Sequence, residues 1–304
     1  MRVCAVVVTY NRKALLFRCL EALRAQSRRP DRIVVVDNAS TDGTAQALET
    51  AGMLAQPGFE LITLPRNEGG AGGFHRGMAA ALQSDCDYAW LMDDDGYPAG
   101  DCLETLLREG GKLDLWGPVV LDDARPEQLC FPLRIPGTAR ILRTRQAVQE
   151  ASPRGLLPDV VMPFNGVLVS RELAGRIGLP RKEFFIWGDD IEYVLRAAKA
   201  GARIATVSGA GFFHPRQDDL GAPMFFGLMH FNNTGSPLKH YCLCRNNTVN
   251  LLTYRGPASA LAFAAKTLWF YTFSRPSLER LRLSLRALAD GWRGDFSGHR
   301  RFIE

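Results

Sequence analysis

The fold of this chain is decided by the stretch AWLMDDDGYP, residues 89–98. A run of apolar residues ends at Met92, three carboxylates follow at once, and Gly96 and Pro98 then break the chain. This order is typical of a buried strand that carries acidic side chains at its carboxyl end. Three adjacent carboxylates repel one another unless a cation lies among them, and their hard oxygens suit Mg²⁺ or Mn²⁺. The stretch therefore predicts a divalent-metal site, with an acidic surface turn as the alternative.

Apolar runs also occur upstream, and each is followed by a polar loop. They cover residues 3–8, 32–36 and 60–64, and residues 13–26 show helical spacing. Alternating strands and helices predict a parallel, doubly wound sheet, in which ligands bind beyond the carboxyl ends of the strands. We therefore expect the polar residues at those ends to meet in one crevice. They are Thr9, Asn11, Arg12, Asp37, Asn38, Arg66, Asn67 and Asp93 to Asp95.

A glycine-rich stretch, residues 69–73, precedes the next predicted helix. It lacks the lysine and hydroxyl residue that end a P-loop, and it is not a dinucleotide-binding fingerprint. Two interpretations stay open. Its backbone approaches a sugar or phosphate closely, or it is a flexible turn before the helix.

A second concentration of acidic and aromatic residues is FFIWGDDIEY, residues 184–193. Asp189 and Asp190 stand at the start of a predicted helix, where carboxylates cap the helix and favour its dipole. Capping leaves Trp187 unexplained, because a large aromatic beside acids is a common platform for a sugar ring. A carboxylate held there is suited to take a proton from an attacking hydroxyl. From this stretch alone, a cap and an acceptor site both stay open.

His214 lies in GFFHP, residues 211–215, after a strand predicted over residues 204–207. A single histidine is more often structural than a ligand. Imidazole is nevertheless a good third ligand for Mn²⁺ beside two carboxylates. His214 follows a predicted strand just beyond the second acidic cluster, and the other histidines lack such a setting. The sequence therefore makes His214 a candidate metal ligand.

Composition bounds the class of protein. The chain has 304 residues, 46% hydrophobic and 23% charged, enough for one large α/β domain or two smaller ones. Its net charge of +5 is too weak to indicate nucleic-acid binding and fits an anionic substrate or an anionic membrane surface. Seven cysteines without zinc-knuckle spacing favour reduced thiols in a cytoplasmic protein. No apolar run approaches the roughly 18 residues that a membrane span needs.

The C-terminal part is predicted to be mainly helical. Residues 216–236 are expected to form a mobile loop, and residues 239–254 a helix that carries the triplet Arg245-Asn246-Asn247. Residues 257–293 predict one or two helices with an apolar face and several arginines. These helices either pack on the domain as a pair or lie on anionic lipid as an interfacial segment.

Three motifs occur in order along the first half of the chain. They are VVTYNR at residues 7–12, VVDNASTDGT at 35–44 and MDDD at 92–95. Together they resemble the GT-A glycosyltransferases of family 2, and the resemblance covers about residues 1–215. NEGGAGGF at 67–74 and WGDDIEY at 187–193 look most like the galactofuranosyltransferase and rhamnosyltransferase branch.

The resemblance implies an α/β fold of the GT-A type. It has a Rossmann-like, mostly parallel central sheet flanked by helices, and a C-terminal helical extension. Residues 1–230 then form the glycosyltransferase domain, with a nucleotide-binding half over 1–118 and an acceptor-binding half over 119–230. Residues 231–304 form the helical region.

The resemblance also assigns roles to residues at the predicted site. Those that would hold the nucleotide sugar are Thr9, Asn11, Arg12, Asp37, Arg66, Asn67, Asp93 and Asp94. Those that would bind Mn²⁺ or Mg²⁺ are Asp93, Asp95 and His214. Asp190 would be the general base, and Trp187, Asp189 and Glu192 would bind the acceptor. The triplet Asp93 to Asp95 leaves open which carboxylates touch the metal and which touch the ribose.

The activity implied is inverting, metal-dependent transfer of a sugar from a nucleotide donor to a cell-surface polysaccharide or lipid-linked glycan. UDP-galactofuranose is the expected donor, with dTDP-rhamnose as the alternative. A sugar nucleotidyltransferase or a non-catalytic sugar-binding module is a more distant alternative. We expect a cytoplasmic protein with peripheral contact at the inner face of the cell membrane and no nucleic-acid partner, and its oligomeric state stays open.

Overall fold

The computed structural model describes residues 1–216, 221–224, 227 and 229–303. These residues form two compact units. The first unit comprises residues 1–182 and 193–216, and the second comprises residues 183–192 together with the described residues from 221 onward. The domain boundaries expected after residues 118 and 230 stay predictions.

The first unit is built on one large sheet that follows the apolar runs of the sequence. Its strands are β1 Val3–Thr9, β2 Arg32–Asp37, β3 Phe59–Thr63, β4 Tyr88–Asp93, β5 Tyr97–Pro98, β6 Leu115–Asp122, β7 Gln128–Arg134, β8 Ile141–Thr144, β9 Leu156–Pro158, β10 Asn165–Ser170 and β11 Ile204–His214. The main order is β3-β2-β1-β4-β10-β6-β11-β5. Strands β1 to β4 are mutually parallel, as are β6 and β11, whereas β10 runs antiparallel between β4 and β6. The predicted mostly parallel sheet is confirmed.

Helices pack against both faces of this sheet. They are α1 Lys13–Arg24, α2 Thr44–Thr50, α3 Gly69–Gln83, α4 Cys102–Glu109, α5 Arg145–Ala151, α6 Arg171–Ile177 and α7 Asp189–Lys199, whose first residues belong to the second unit. Successive side chains of a strand point to opposite faces, so Val3, Ala5 and Val7 of β1 pack with α1 and α4 on one face. Val6 and Val8 pack with α3 on the other face. The predicted doubly wound arrangement follows from this alternation.

The glycine-rich stretch belongs to α3, which begins at Gly69, so the flexible-turn interpretation is wrong. A close approach of its backbone to a sugar or phosphate stays a prediction. A Cβ on Gly73 would lie within 3.0 Å of the Val8 side chain, and one on Gly77 would lie as close to Val6. Only a helix face without side chains can approach β1 this closely. Gly70 differs, because a Cβ there would meet nothing within 4 Å.

Residues 122–160, where the sequence shows weak periodicity, form the short elements β7, β8, α5 and β9. They enclose a small core of their own that includes Leu129, Leu142 and Val148. Elements of three to seven residues are too short to show a clear hydrophobic period.

The second unit is mainly helical. Its helices are α8 Pro237–Tyr254, α9 Pro257–Trp269 and α10 Leu278–Arg293, and its strands are β12 Ala222–Met224 and β13 Met229–Phe231. The two strands pair antiparallel within the predicted loop over 216–236, of which residues 217–220, 225, 226 and 228 lie outside the described residues. In the part of the chain that is described, no helix has the length and apolar character needed to cross a membrane.

Candidate active site

The carboxyl ends of β1 and β4 bring predicted site residues of the first unit into contact. The hydroxyl of Thr9 donates to Asp94 Oδ2 at 2.7 Å. The Arg12 guanidinium lies 3.3 Å from Asp94 Oδ1 and 2.7 Å from Asp95 Oδ2. The polar loops after β1 and β4 therefore converge at this edge of the sheet, with Arg12 as the cation between two of the three carboxylates.

His214 ends β11 and faces the same acidic triplet. Its Nε2 lies 3.2 Å from Asp95 Oδ1, an oxygen that is buried. On the other side of the ring, Nδ1 lies 2.8 Å from the carbonyl oxygen of Pro215. A carbonyl can only accept, so Nδ1 carries a hydrogen. In a neutral ring the Nε2 lone pair then faces Asp95, and in a charged ring Nε2 donates to it.

Asp93 ends β4 in register with Val8 of β1. It does not complete a three-ligand group with Asp95 and His214, since no cluster of three metal-binding side chains is found within residues 1–216 or the other described ranges. The structure thus brings two of the three predicted metal ligands together.

Burial and charge shift the pKa values of this cluster in different directions. Burial raises the pKa of Asp94 to about 6, although Thr9 and Arg12 act to lower it. Burial would also raise the pKa of Asp95, but His214 and Arg12 hold it below its ordinary value. For His214, burial lowers the pKa, and the contact with Asp95 outweighs burial and raises it to about 10. The two shifts together favour a charged imidazole beside a charged carboxylate.

Asn11 and Asp37 shape the loop that follows β2. Asn11 has a positive φ of 52°, and its side-chain oxygen accepts from the backbone N–H of Thr41 at 2.7 Å. Asp37 is buried and accepts from the backbone N–H of Ser40 at 2.9 Å. Both residues lie at strand ends, as the sequence predicted, and these hydrogen bonds stabilise the backbone of the loop.

Asn38 connects the loops after β2 and β3, a role that the sequence argument did not assign. Its side-chain amide donates to the Gly69 carbonyl at 2.9 Å and accepts from the Glu68 N–H at 2.8 Å. Asn67 accepts from the Gly69 N–H at 2.8 Å. Arg66 is exposed, and its side chain makes none of these contacts. Asn38 and Asn67 each follow a predicted strand, and this shared position was the sequence signal that could have indicated a link between the two loops.

The predicted acceptor residues lie in the second unit, on the segment that leads into α7. Trp187 has a positive φ of 64° and a half-buried ring, and the Lys239 ammonium lies 6.0 Å from its centroid. Asp189 is buried, whereas Asp190 is half-buried and accepts from the Ile191 N–H at 2.7 Å. Glu192 is only 2% exposed and accepts from the Tyr254 hydroxyl at 2.6 Å. Glu192 therefore anchors α7 to α8.

The two aspartates that begin α7 have raised pKa values. Burial raises the pKa of Asp190, against the hydrogen bond from Ile191 that lowers it. Burial, together with the charge of Asp190, raises the pKa of Asp189 well above its ordinary value. A simple helix cap would lower both pKa values, so the raised values come from the burial of Asp189 and the partial burial of Asp190.

Comparisons with known proteins agree with this architecture. The sequence profile of Glycosyl transferase family 2 matches residues 4–114. The galactofuranosyltransferase GlfT1 of Mycolicibacterium smegmatis is 35% identical over 303 residues, which cover 97% of each chain. Among solved structures, S. aureus TarS 1-349 in complex with UDP-GlcNAc matches with a TM-score of 0.57 and 16% identity, over 99% of this chain and 90% of that one. GalNAc-T7 with UDP, GalNAc and Mn²⁺ matches with a TM-score of 0.58 and 13% identity, over 95% of this chain and 55% of that one.

The low identity of the solved structures limits them to evidence for the GT-A fold. The similarity to GlfT1 is different in kind, because it runs through both units and nearly the whole of both chains. The chain belongs to glycosyltransferase family 2, in the branch that contains the galactofuranosyltransferases.

Proposed function

We propose that this protein is an inverting, metal-dependent galactofuranosyltransferase. It transfers galactofuranose from UDP-galactofuranose to a cell-surface polysaccharide or its lipid-linked precursor. The observation that carries the proposal is the 35% identity to a galactofuranosyltransferase over 97% of both chains. A UDP-sugar donor also agrees with the UDP-GlcNAc held by the TarS structure of similar fold.

In this proposal the first unit binds the nucleotide. Asp37, Asn11 and Arg12 surround the carboxyl ends of β1 and β2, where a base and ribose bind in doubly wound sheets. Asp94, held by Thr9, has a carboxyl suited to accept from a ribose hydroxyl. Arg66 and Asn67 would lie beside the nucleotide, and the exposed guanidinium of Arg66 is available for a phosphate.

The donor set at Asp95 and His214 fits Mn²⁺ or Mg²⁺. A buried carboxylate oxygen lies 3.2 Å from an imidazole nitrogen, and the other nitrogen of that ring is fixed by a backbone carbonyl, as in metal-binding histidines. Such ions commonly use one or two carboxylates and complete their shell with phosphate oxygens and water. When bound, the ion would neutralise charge on the departing diphosphate. Asp93 is the third expected ligand.

The transfer step is carried by Asp190 in this proposal. The acceptor hydroxyl oxygen forms a bond to the anomeric carbon, the bond from that carbon to the diphosphate breaks, and the hydroxyl proton passes to the Asp190 carboxylate. UDP leaves with the bonding electron pair. One displacement inverts the anomeric centre, so a second nucleophile is unnecessary. Trp187 and Asp189 would orient the acceptor ring.

The second unit carries a surface suited to anionic lipid. Exposed apolar residues recur at four-residue spacing along α9 and the π-helical turn after it, and at seven-residue spacing along α10. They are Leu261, Ala265, Trp269 and Phe273, then Leu278, Leu285 and Trp292. Residues 255–303 contain nine basic and three acidic residues, whereas the rest of the chain contains 28 basic and 29 acidic ones. Positive charge and interfacial aromatics concentrated together support peripheral contact with the inner face of the membrane.

A donor screen tests the proposal. Release of nucleotide from UDP-galactofuranose, dTDP-rhamnose, UDP-galactose and UDP-glucose is measured with a galactan-type acceptor, with and without Mn²⁺. We expect UDP-galactofuranose to give the highest kcat/KM and NMR of the product to show an inverted anomeric centre. Preference for dTDP-rhamnose would favour the rhamnosyltransferase alternative. Full activity in EDTA would contradict the proposed metal dependence.

A further inference from the structure

The amide of Asn246 on α8 holds the chain that carries the predicted acceptor residues. Its Nδ2 lies 3.0 Å from the Phe184 carbonyl oxygen, 3.0 Å from that of Ile186 and 2.6 Å from that of Trp187. All of these residues belong to the second unit. Three backbone acceptors converging on one buried amide fix the path of this segment over four residues.

Arg245 fixes the orientation of that amide. Its Nε donates to Asn246 Oδ1 at 2.9 Å, so the amide nitrogen must point toward the carbonyls. Its Nη2 donates to the Phe184 carbonyl at 2.8 Å, and its Nη1 donates to the Phe296 carbonyl at 3.1 Å. The Arg245 side chain is fully buried, which makes these directional hydrogen bonds its means of satisfying its donors.

Two more residues on the same face of α8 continue the contact along the segment. Asn250 Nδ2 donates to the Gly188 carbonyl at 2.9 Å, and the Tyr254 hydroxyl donates to Glu192 Oε1 at 2.6 Å. Residues 246, 250 and 254 are four apart, so their side chains form one row along the helix. We call Asn246, Asn250 and Tyr254 the α8 row.

The segment held by the α8 row is strained. Phe185 and Trp187 have φ of 66° and 64°, a left-handed backbone that residues other than glycine rarely adopt, and Gly188 follows with φ of 87°. Such conformations persist only when the surroundings impose them. Here the hydrogen bonds from Asn246 and Asn250 to the carbonyls of residues 184 and 186–188 impose the left-handed conformation.

We infer that the α8 row consists of positioning residues, which hold Trp187 to Glu192 in the conformation that presents Asp190 to the acceptor hydroxyl. The row touches backbone and Glu192, and it acts on the reaction only through Asp190 and Trp187. The inference rests on the proposed role of Asp190 as general base. Within the Arg245-Asn246-Asn247 triplet, the inference gives a positioning role to Asn246, whose amide Arg245 orients. Asn247 makes none of these contacts and has no such role.

Kinetics of three asparagine variants of the full chain test the inference. Asn246→Ala removes the amide that contacts three carbonyls of the segment, and Asn250→Ala removes the amide that contacts one. Asn247→Ala is the matched control on the same helix. Because small misplacements of a catalytic group are costly, we expect kcat to fall about 100-fold for Asn246→Ala and about tenfold for Asn250→Ala. UDP affinity, measured by calorimetry, should stay within about twofold of the parent, because the nucleotide site is in the first unit.

A split between kcat and UDP affinity separates positioning from general damage to the fold. If Asn246→Ala does not fold, Asn250→Ala decides, since it loses a single hydrogen bond. Full kcat in a folded Asn250→Ala protein, or an equal loss in Asn247→Ala, would overturn the inference. Asp190→Asn is assayed in parallel. If Asp190→Asn keeps full transfer, the proposed base is wrong; if it is inactive while the α8 row variants are fully active, only the positioning role is wrong.

Discussion

The carboxyl oxygen Oδ1 of Asp95 and the imidazole Nε2 of His214 lie 3.2 Å apart in the buried edge of the sheet. Nδ1 of the same ring is directed at the Pro215 carbonyl. Two atoms with lone pairs facing one another at this distance require a proton or a cation between them. The pair is therefore suited to hold a positive charge, which a divalent ion would supply in the proposed function.

The first prediction concerns this pair. Asp95→Asn and His214→Ala should each weaken Mn²⁺ binding in the presence of UDP by about 10-fold or more, because each replaces one proposed ligand. Free Mn²⁺ is measured by electron paramagnetic resonance during titration of the protein. Asp85→Asn is the control, since Asp85 is an exposed aspartate of the same unit that pairs with Arg2. Unchanged Mn²⁺ affinity in both site variants would contradict the assignment.

The glycines of α3 give a second prediction, on stability. Gly73→Ala places a Cβ against Val8 of β1 and should lower the free energy of unfolding by about 1–3 kcal/mol, the usual cost of overpacking. Gly70→Ala is the matched control, because its Cβ meets open space and alanine favours a helix by about 0.5–1 kcal/mol. Urea unfolding of the two variants measures the difference. Equal midpoints would show that α3 does not need its close approach to β1.

The sheet and its strand ends could be predicted because their signals are local. The apolar runs over residues 3–8 and 32–36 and the polar residues after them fix β1 and β2 and place Thr9 and Asp37 at their ends. Asp95 and His214 are 119 positions apart in sequence, and their proximity depends on β11 lying in the same sheet as β4. From the sequence, only the resemblance to a family could predict that these two residues lie close together, because hydrophobic periodicity does not report which distant strands share a sheet.

The α8 row illustrates what sequence periodicity misses. Asn246 and Asn250 are polar and buried, so α8 shows little amphipathic pattern although its ends were predicted well. Their partners are backbone carbonyls near residue 186, and backbone carbonyls leave no mark in a sequence. The flexible-turn interpretation of residues 69–73 was wrong for a related reason, because the sequence does not distinguish a glycine needed for packing from a glycine needed for a loop.

The exposed apolar surface of α9 and α10 gives a third prediction. The full chain should float with vesicles that contain phosphatidylglycerol, bind less to pure phosphatidylcholine, and dissociate as NaCl rises. The double variant Trp269→Ser and Phe273→Ser should lower partitioning at least about tenfold, because it removes two interfacial aromatics whose rings lie 4.4 Å apart. Leu54→Ser, at an exposed leucine of the first unit, is the control. Equal flotation of both variants would contradict a lipid contact at this surface.

A fourth prediction concerns His240, a fully buried histidine on α8. Its Nε2 lies 2.8 Å from the Ser284 hydroxyl and its Nδ1 lies 3.4 Å from the Tyr271 hydroxyl. Burial, with a smaller effect of the Arg280 charge, lowers the pKa of His240 from 6.5 to about 4. Between pH 6.5 and about 4, His240 is protonated in the unfolded chain and neutral in the folded chain. Its contribution to the free energy of unfolding is therefore complete above pH 6.5 and is lost as the pH falls toward 4.

We therefore expect the second unit to lose about 3 kcal/mol of stability through His240 as the pH is lowered across that window. His240→Gln keeps a polar side chain but removes the titrating group, and its unfolding free energy should depend less on pH. His230→Gln, at an exposed histidine of β13, is the control and should keep the parent's pH dependence. Urea unfolding at several pH values, read from tryptophan fluorescence, measures the slopes. Parallel slopes in the parent and His240→Gln would show that His240 takes up its proton equally well in the folded and unfolded chains.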